Sequence, residues 1–204
     1  MSDRTSHWET VYSTKAENEV SWFQSDPATS LRMISNAKAT VDSSIIDIGG
    51  GASRLIDALL ARGFHALTVL DISAAALETA KKRLRPAGAA VEWIAADVTR
   101  WMPARAFDLW HDRAAFHFLT EEGDRAAYAE RLRTAVAPGG QVIIATFALD
   151  GPEKCSGLPV QRYDAGGLAR TIGPAFELVD HLTETHRTPW KATQAFQFSR
   201  FRRI

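Results

Sequence analysis

The chain has 204 residues, enough for one domain with a sizeable core, and its 46% apolar and 24% charged residues are the balance of a soluble globular protein. Lys plus Arg and Asp plus Glu each number 24, so the formal net charge is zero, which argues against a broadly basic nucleic-acid surface. The lone Cys155 excludes an internal disulfide framework and fits a reducing, cytoplasmic compartment, and no apolar run approaches the ~18 residues of a membrane span. Nucleic acid and membrane are therefore not expected as partners, although Arg200, Arg202 and Arg203 crowd the C-terminus. The opening "MSDRTSHWET" also lacks the apolar stretch of a secretory signal.

In chain order, "SSIIDIG" (43–49) reads as a buried parallel strand that leads through three glycines into the helix "SRLIDALLARG". "HALTVLDIS" (65–73) is the next strand, and Ser73 is placed to cap the helix "AAALETAKKRL". "VEWIAADV" and "AFDLWHD" are the third and fourth strands. "DRAAYAERLRTAVAPGG" is a helix ending in a Pro-Gly-Gly turn, and "QVIIATFA" is the fifth strand. "DAGGLARTIG" gives a short helix, and "FELVDHLTET" with "ATQAFQFSRF" pairs as a final antiparallel hairpin. Alternating strands and helices predict an α/β fold, a doubly wound, mostly parallel sheet with helices on both faces. Its ligand site belongs at the carboxyl ends of the strands.

The turn Gly49, Gly50, Gly51 stands at such an end, and Asp71 closes the second strand 20 residues after Gly51. An acid there can accept hydrogen bonds from both ribose hydroxyls, in a dinucleotide or in S-adenosylmethionine. Three features favour the methyl donor. Arg54 occupies the place of the third glycine that a pyrophosphate turn uses for helix packing. Asp47, two residues before the turn, would repel a pyrophosphate and attract a sulfonium and an α-amino group. Asp97 stands where it can accept from an adenine amine, with Ile72 and Val98 as apolar contacts to the ring.

"IIDIGGGAS", "VLDIS", "AADV" and "APGGQVII" resemble, in order and spacing, the motifs of the class I, seven-strand, Rossmann-like S-adenosylmethionine-dependent methyltransferases. The resemblance covers roughly residues 40–204, including the closing hairpin. The upstream "HWETVYSTKAENEVSWFQSDPATSL" resembles the N-terminal lid helices of bacterial members that act on small substrates. It implies a lid over residues 1–40 and a donor-binding domain over 41–204. It also implies backbone contacts from the glycines to the donor's amino-acid portion, Asp71 on the ribose, Ile72 against adenine and Asp97 at its amine. Trp22 is expected either to cover the donor or to pin the N-terminal helix.

In-line methyl transfer asks chiefly for alignment, with a base only where the acceptor must lose a proton. The loop after the fourth strand offers His111, Asp112, Arg113 and His117, of which His111, Arg113 and His117 are the catalytic candidates; His117 in "AFHFL" equally suits a packed core. Arg162, Tyr163 and His186 are candidates for holding the acceptor. Cys155 has no second cysteine or paired histidines nearby, so no metal site is expected. Asp112 has its aromatic, Phe116, one position too late for the acid-x-x-aromatic motif of protein-lysine methyltransferases. No Asn-Pro-Pro-aromatic motif is present. A small-molecule acceptor is therefore expected first and a protein lysine second, with a non-catalytic donor-binding protein and a nicotinamide reductase behind them. The chain is expected to be a monomer or a homodimer.

Overall fold

The computed structural model describes residues 3–204. Its strands are β1 (Ile45–Ile48), β2 (Leu67–Asp71), β3 (Glu92–Ala95), β4 (Phe107–Arg113), β5 (Val136–Phe147), the short pair β6 (Lys154–Cys155) and β7 (Leu158–Pro159), then β8 (Phe176–Arg187) and β9 (Thr193–Arg203). The α-helices are α1 (Asp3–Thr14), α2 (Ala28–Asn36), α3 (Leu55–Ala61), α4 (Ala74–Arg83), α5 (Glu122–Ala135) and α6 (Ala165–Ile172). Seven strands form one sheet in the order β3-β2-β1-β4-β5-β9-β8. The pairs from β3 to β5 are parallel, and β9 enters antiparallel between β5 and β8. This is the predicted doubly wound sheet with its closing hairpin.

Local chemistry explains the ends of the elements. Ser73 caps α4 by accepting from the Ala76 N–H at 3.1 Å, and Asp164 caps α6 by accepting from the Gly167 N–H. The strand β1 is fully buried because both of its neighbours are parallel and both faces carry helices. Two differences from the sequence reading matter. "VEWIAADV" leaves the sheet at Ala95, so Asp97 lies in the following turn, where its Oδ1 accepts from the Thr99 N–H and hydroxyl. The Pro-Gly-Gly segment lies inside the β5 span, where the pairing with β4 shifts register between Phe107 and Leu109. The β6–β7 ribbon adds a feature the sequence reading lacked.

Two apolar layers sandwich the sheet. One contains Met33, Ile45, Leu59, Leu109 and Phe198; the other contains Ile46, Trp110, Tyr128, Leu132 and Phe201. In the second layer the Tyr128 hydroxyl donates to Asp112 Oδ2 at 2.7 Å and accepts from Trp110 Nε1 at 2.8 Å. Asp112 Oδ1 accepts from the N–H groups of Ala115 and Phe116. The network fixes the chain where it leaves β4. Burial pushes the Asp112 carboxyl up to about 6, against the opposing pull of the Tyr128 hydroxyl. Tyr128→Phe orphans both partners at once and is expected to cost about 2–3 kcal/mol. Thermal melting should show a midpoint lowered by roughly 5–10 °C.

Candidate functional site

A cleft opens over the carboxyl ends of β1, β2 and β4. Gly49, the first residue of the turn after β1, lines it, and Gly50 lines the neighbouring lobe. Gly49 has φ +63°, and a Cβ there would lie 2.6 Å from the Ala115 Cβ. Gly51 has φ +34°, and its Cβ would lie 2.6 Å from Asp71 Oδ2. Both positions therefore demand glycine, by conformation and by space. A Cβ on Gly50 would also press on the Asp47 carboxylate, at 2.5 Å.

Asp71 ends β2 beneath this turn and is buried, with Oδ1 accepting from the Ser73 N–H at 2.8 Å. Burial, against that hydrogen bond and with the charges of Asp47 and Glu9 adding to it, pushes its carboxyl up to about 7. Ile72, Asp97 and Val98 line the cleft beside it. Arg4 from α1 reaches Asp97 Oδ2 at 3.3 Å and Asp124 at 3.0 Å.

A second lobe shares Tyr12, Trp22, Gly49 and Arg113 with the first and is lined by Asp47, Gly50, Ser53 and Ser30. Asp47 and His111 are both buried here. Asp47 Oδ1 lies 2.7 Å from His111 Nδ1, and His111 Nε2 lies 2.9 Å from the Ser30 hydroxyl on α2. Asp47 Oδ2 is sealed from solvent and has no hydrogen-bond partner. An orphaned buried carboxylate oxygen is a costly feature, and Asp47 is among the residues lining the second lobe.

The N-terminal segment covers both lobes. Trp8 and Tyr12 of α1 pack with Trp22, with ring centroids 5.6 and 6.2 Å from it, and Trp8 also meets Phe118 at 5.0 Å. Glu9 accepts from the Ala74 and Ala75 N–H groups at the start of α4, and Glu17 pairs with Arg54 and Arg83. The Trp8–Tyr12 spacing of four residues puts both rings on one helix face, a signal present in "HWETVY" but left unused in the sequence reading. Ser30 carried no such signal.

Of the other sequence candidates, Arg113 lines the cleft, where Cys155 also stands. His111 has both ring nitrogens engaged. His117 is fully buried between Phe118 and Phe147 and accepts from the Phe147 N–H; burial pushes its pKa down to about 3. That is the packed histidine the apolar "AFHFL" context suggested. Three candidates stand outside the cleft lining. Tyr163 is buried against Phe116, Arg162 donates to the Gly151 carbonyl and pairs with Glu153, and His186 Nε2 donates to the Ser21 carbonyl at 2.7 Å. They fasten loops instead.

No helix among the described residues is long and apolar enough to cross a membrane, and among those residues no group of His, Cys, Asp and Glu gathers into a metal-ligand set.

Comparison with known proteins agrees with this geometry. Residues 45–140 match the family described as methyltransferase domain. The probable thiol methyltransferase 2 of Arabidopsis thaliana is 33% identical over 94 residues, 45% of this chain and 40% of that protein. The chain thus matches about two-fifths of the length of that curated relative. The N-methyltransferase NodS of Bradyrhizobium japonicum, solved with S-adenosylhomocysteine, has a TM-score of 0.73 and 18% identity over 98% of this chain and 99% of its own. The 1,6-didemethyltoxoflavin-N1-methyltransferase of Burkholderia thailandensis, solved with that substrate and S-adenosylhomocysteine, has a TM-score of 0.69 and 17% identity over 95% and 81%. A structure from work on converting a disulfide bond into a thioacetal group in echinomycin biosynthesis reaches 0.78 at 17% identity over 98% and 91%. Residues 45–140 thus match a methyltransferase domain, and the sheet order gives the chain the fold of these solved methyltransferases.

Proposed function

We propose that the protein transfers a methyl group from S-adenosylmethionine to a small molecule inside the roofed cleft. One observation carries the reading: Gly49 of the glycine turn, Asp71, Ile72, Asp97 and Val98 border a single cleft with Trp8, Tyr12 and Trp22. In this reading Asp71 accepts from the ribose hydroxyls, and Asp97 with Ile72 and Val98 takes the adenine. Gly49, Gly50 and Gly51 let backbone approach the donor's amino-acid tail. Asp47 Oδ2, sealed and unpartnered, suits its α-amino group, with the His111–Ser30 chain holding the carboxylate in place.

The donor, when bound, supplies an electrophilic methyl on a sulfonium. The chain's own residues supply alignment and exclusion of water. His117 and His111 are both committed to the fold, so neither serves as a free base, and the acceptor enters already nucleophilic or loses its proton to water. Residues 1–40 act as the lid of the 41–204 domain, and Trp22 both covers the cleft and packs on α1. A roofed, aromatic-walled cleft favours a small acceptor over a protein lysine. The lone, buried Cys155 suits the cytoplasm, and the protein acts as a monomer or homodimer.

The pH dependence follows from Asp71. Its folded-state pKa of about 7 is raised above the unfolded value, so the stability it contributes to the free protein is present below about pH 4 and is lost as pH rises through 7. The donor's ribose hydroxyls select the ionised form, so donor affinity moves the opposite way. Calorimetry should show S-adenosylhomocysteine binding about tenfold tighter at pH 8 than at pH 6. Asp71→Ala removes two charge-assisted hydrogen bonds, weakens binding at least tenfold, and flattens that profile. Unchanged affinity in Asp71→Ala would remove Asp71 from the donor site. The activity itself is tested by incubating the protein and S-adenosylmethionine with a library of small nucleophiles and measuring S-adenosylhomocysteine release. Release stimulated by a small acceptor is expected, and release stimulated only by protein substrates would transfer the assignment to a side-chain methyltransferase.

A further inference from the structure

Arg113, the last residue of β4, is the one residue lining the cleft that has sealed, unpartnered side-chain nitrogens among the described residues. Its Nη1 donates to the Trp22 carbonyl at 3.0 Å, whereas Nε and Nη2 have no partner. No carboxylate pairs with it among the described residues. Glu184 on β8 acts only at longer range and takes a hydrogen bond from Gln24 instead. Cys155 is no counter-ion, because burial pushes its thiol up to about 11. Leaving a cation and two donors unsatisfied in a sheltered place is costly. The two unpartnered donors are also specific, since Nε–H and Nη2–H point side by side in the guanidinium plane. That fork matches the two oxygens of a carboxylate.

We infer that Arg113 grips a carboxylate carried by the methyl acceptor, side-on through Nε and Nη2. This rests on the reading of the cleft as a donor and acceptor site. The competing source of a carboxylate is the donor's own amino-acid tail, and the direction of the side chain separates the two. The glycine turn follows β1, on one side of β4. The Arg113 guanidinium leans the other way, across the end of β5, and stacks 4.8 Å from the Phe196 ring centroid on β9. Arg113 borders both lobes, and its guanidinium lies on the β5 side of the cleft, away from Asp71 and Asp97. An acceptor seated there has aromatic walls, Trp8 and Phe118, for its apolar part. Its anionic group is fixed, which orients the nucleophilic atom towards the methyl.

The test uses full-length protein loaded with S-adenosylhomocysteine and titrated calorimetrically with benzoate and with benzamide, which has the same shape without the charge. Benzoate should bind and benzamide should not. Arg113→Met should weaken benzoate about tenfold or more, and Arg113→Lys, which keeps the charge but not the fork, should recover only part of that loss. Affinity for S-adenosylhomocysteine should stay within about threefold in both variants. Equal binding of the two probes, or benzoate binding that ignores Arg113→Met, overturns the inference. A fall in S-adenosylhomocysteine affinity that spares methylthioadenosine, which lacks the amino-acid tail, assigns Arg113 to the donor's carboxylate and also overturns it. Failure of wild-type protein to bind S-adenosylhomocysteine removes the underlying donor reading, whereas donor binding without discrimination between the probes removes this inference alone.

Discussion

Gly51→Val is expected to abolish donor binding, with an affinity loss of at least about a hundredfold, well beyond that of Asp71→Ala. Two costs combine at this position. The backbone sits at φ +34°, where a β-branched residue is strained, and the new Cβ lies 2.6 Å from Asp71 Oδ2 and 3.1 Å from the Ala76 Cβ. Either the turn moves into the cleft or Asp71 is driven off the position proposed to meet the ribose. The fold should also lose roughly 1–3 kcal/mol from strain and overpacking. Circular dichroism therefore accompanies the calorimetry, to show that the protein remains folded. Gly49→Val should behave alike, since its Cβ meets Ala115 at 2.6 Å. A folded valine variant with normal affinity for S-adenosylhomocysteine would make the turn purely structural.

Removing residues 1–26 is the second large effect. The sheet and its two apolar layers lie almost wholly outside this segment, from which Val11 and Val20 are the buried apolar side chains among the described residues. The remaining domain should fold. The cleft loses Trp8, Tyr12 and Trp22, the Arg4 contact to Asp97, and the Glu17 pairs with Arg54 and Arg83. Open to water, it should bind the donor about tenfold more weakly and turn over at least about a hundredfold more slowly. Limited proteolysis of the intact protein checks the same idea: S-adenosylhomocysteine should slow cuts between residues 8 and 26. Cleavage at an unchanged rate would mean that the N-terminus is no lid.

The sheet was legible because its information is local. "IIDIG", "LTVLD" and "QVIIATF" are short β-branched runs, each followed by a turn or cap residue whose geometry admits few alternatives, and Ser73 caps as its position implied. That Asp71, Ile72, Asp97 and Val98 border one cleft was legible because strand ends are fixed once the strands are. Side chains on long connections were not. Arg162 and Tyr163 follow β5 and could have faced the cleft, yet Tyr163 turns into the layer beneath α6, where an aromatic ring gains more from Phe116 than from solvent. His186 went to a backbone carbonyl of the N-terminal segment. The Ser30–His111–Asp47 chain joins residues 17, 64 and 81 positions apart across α2, β1 and β4. No periodicity within one element encodes such a contact.

The central claim is that this cleft holds a sulfonium donor and not a dinucleotide, and calorimetry on the wild-type protein tests it most directly. S-adenosylhomocysteine should bind at one site per chain, tighter at pH 8 than at pH 6, with NAD giving no heat. Saturable binding of NAD with no response to S-adenosylmethionine or S-adenosylhomocysteine would contradict the account.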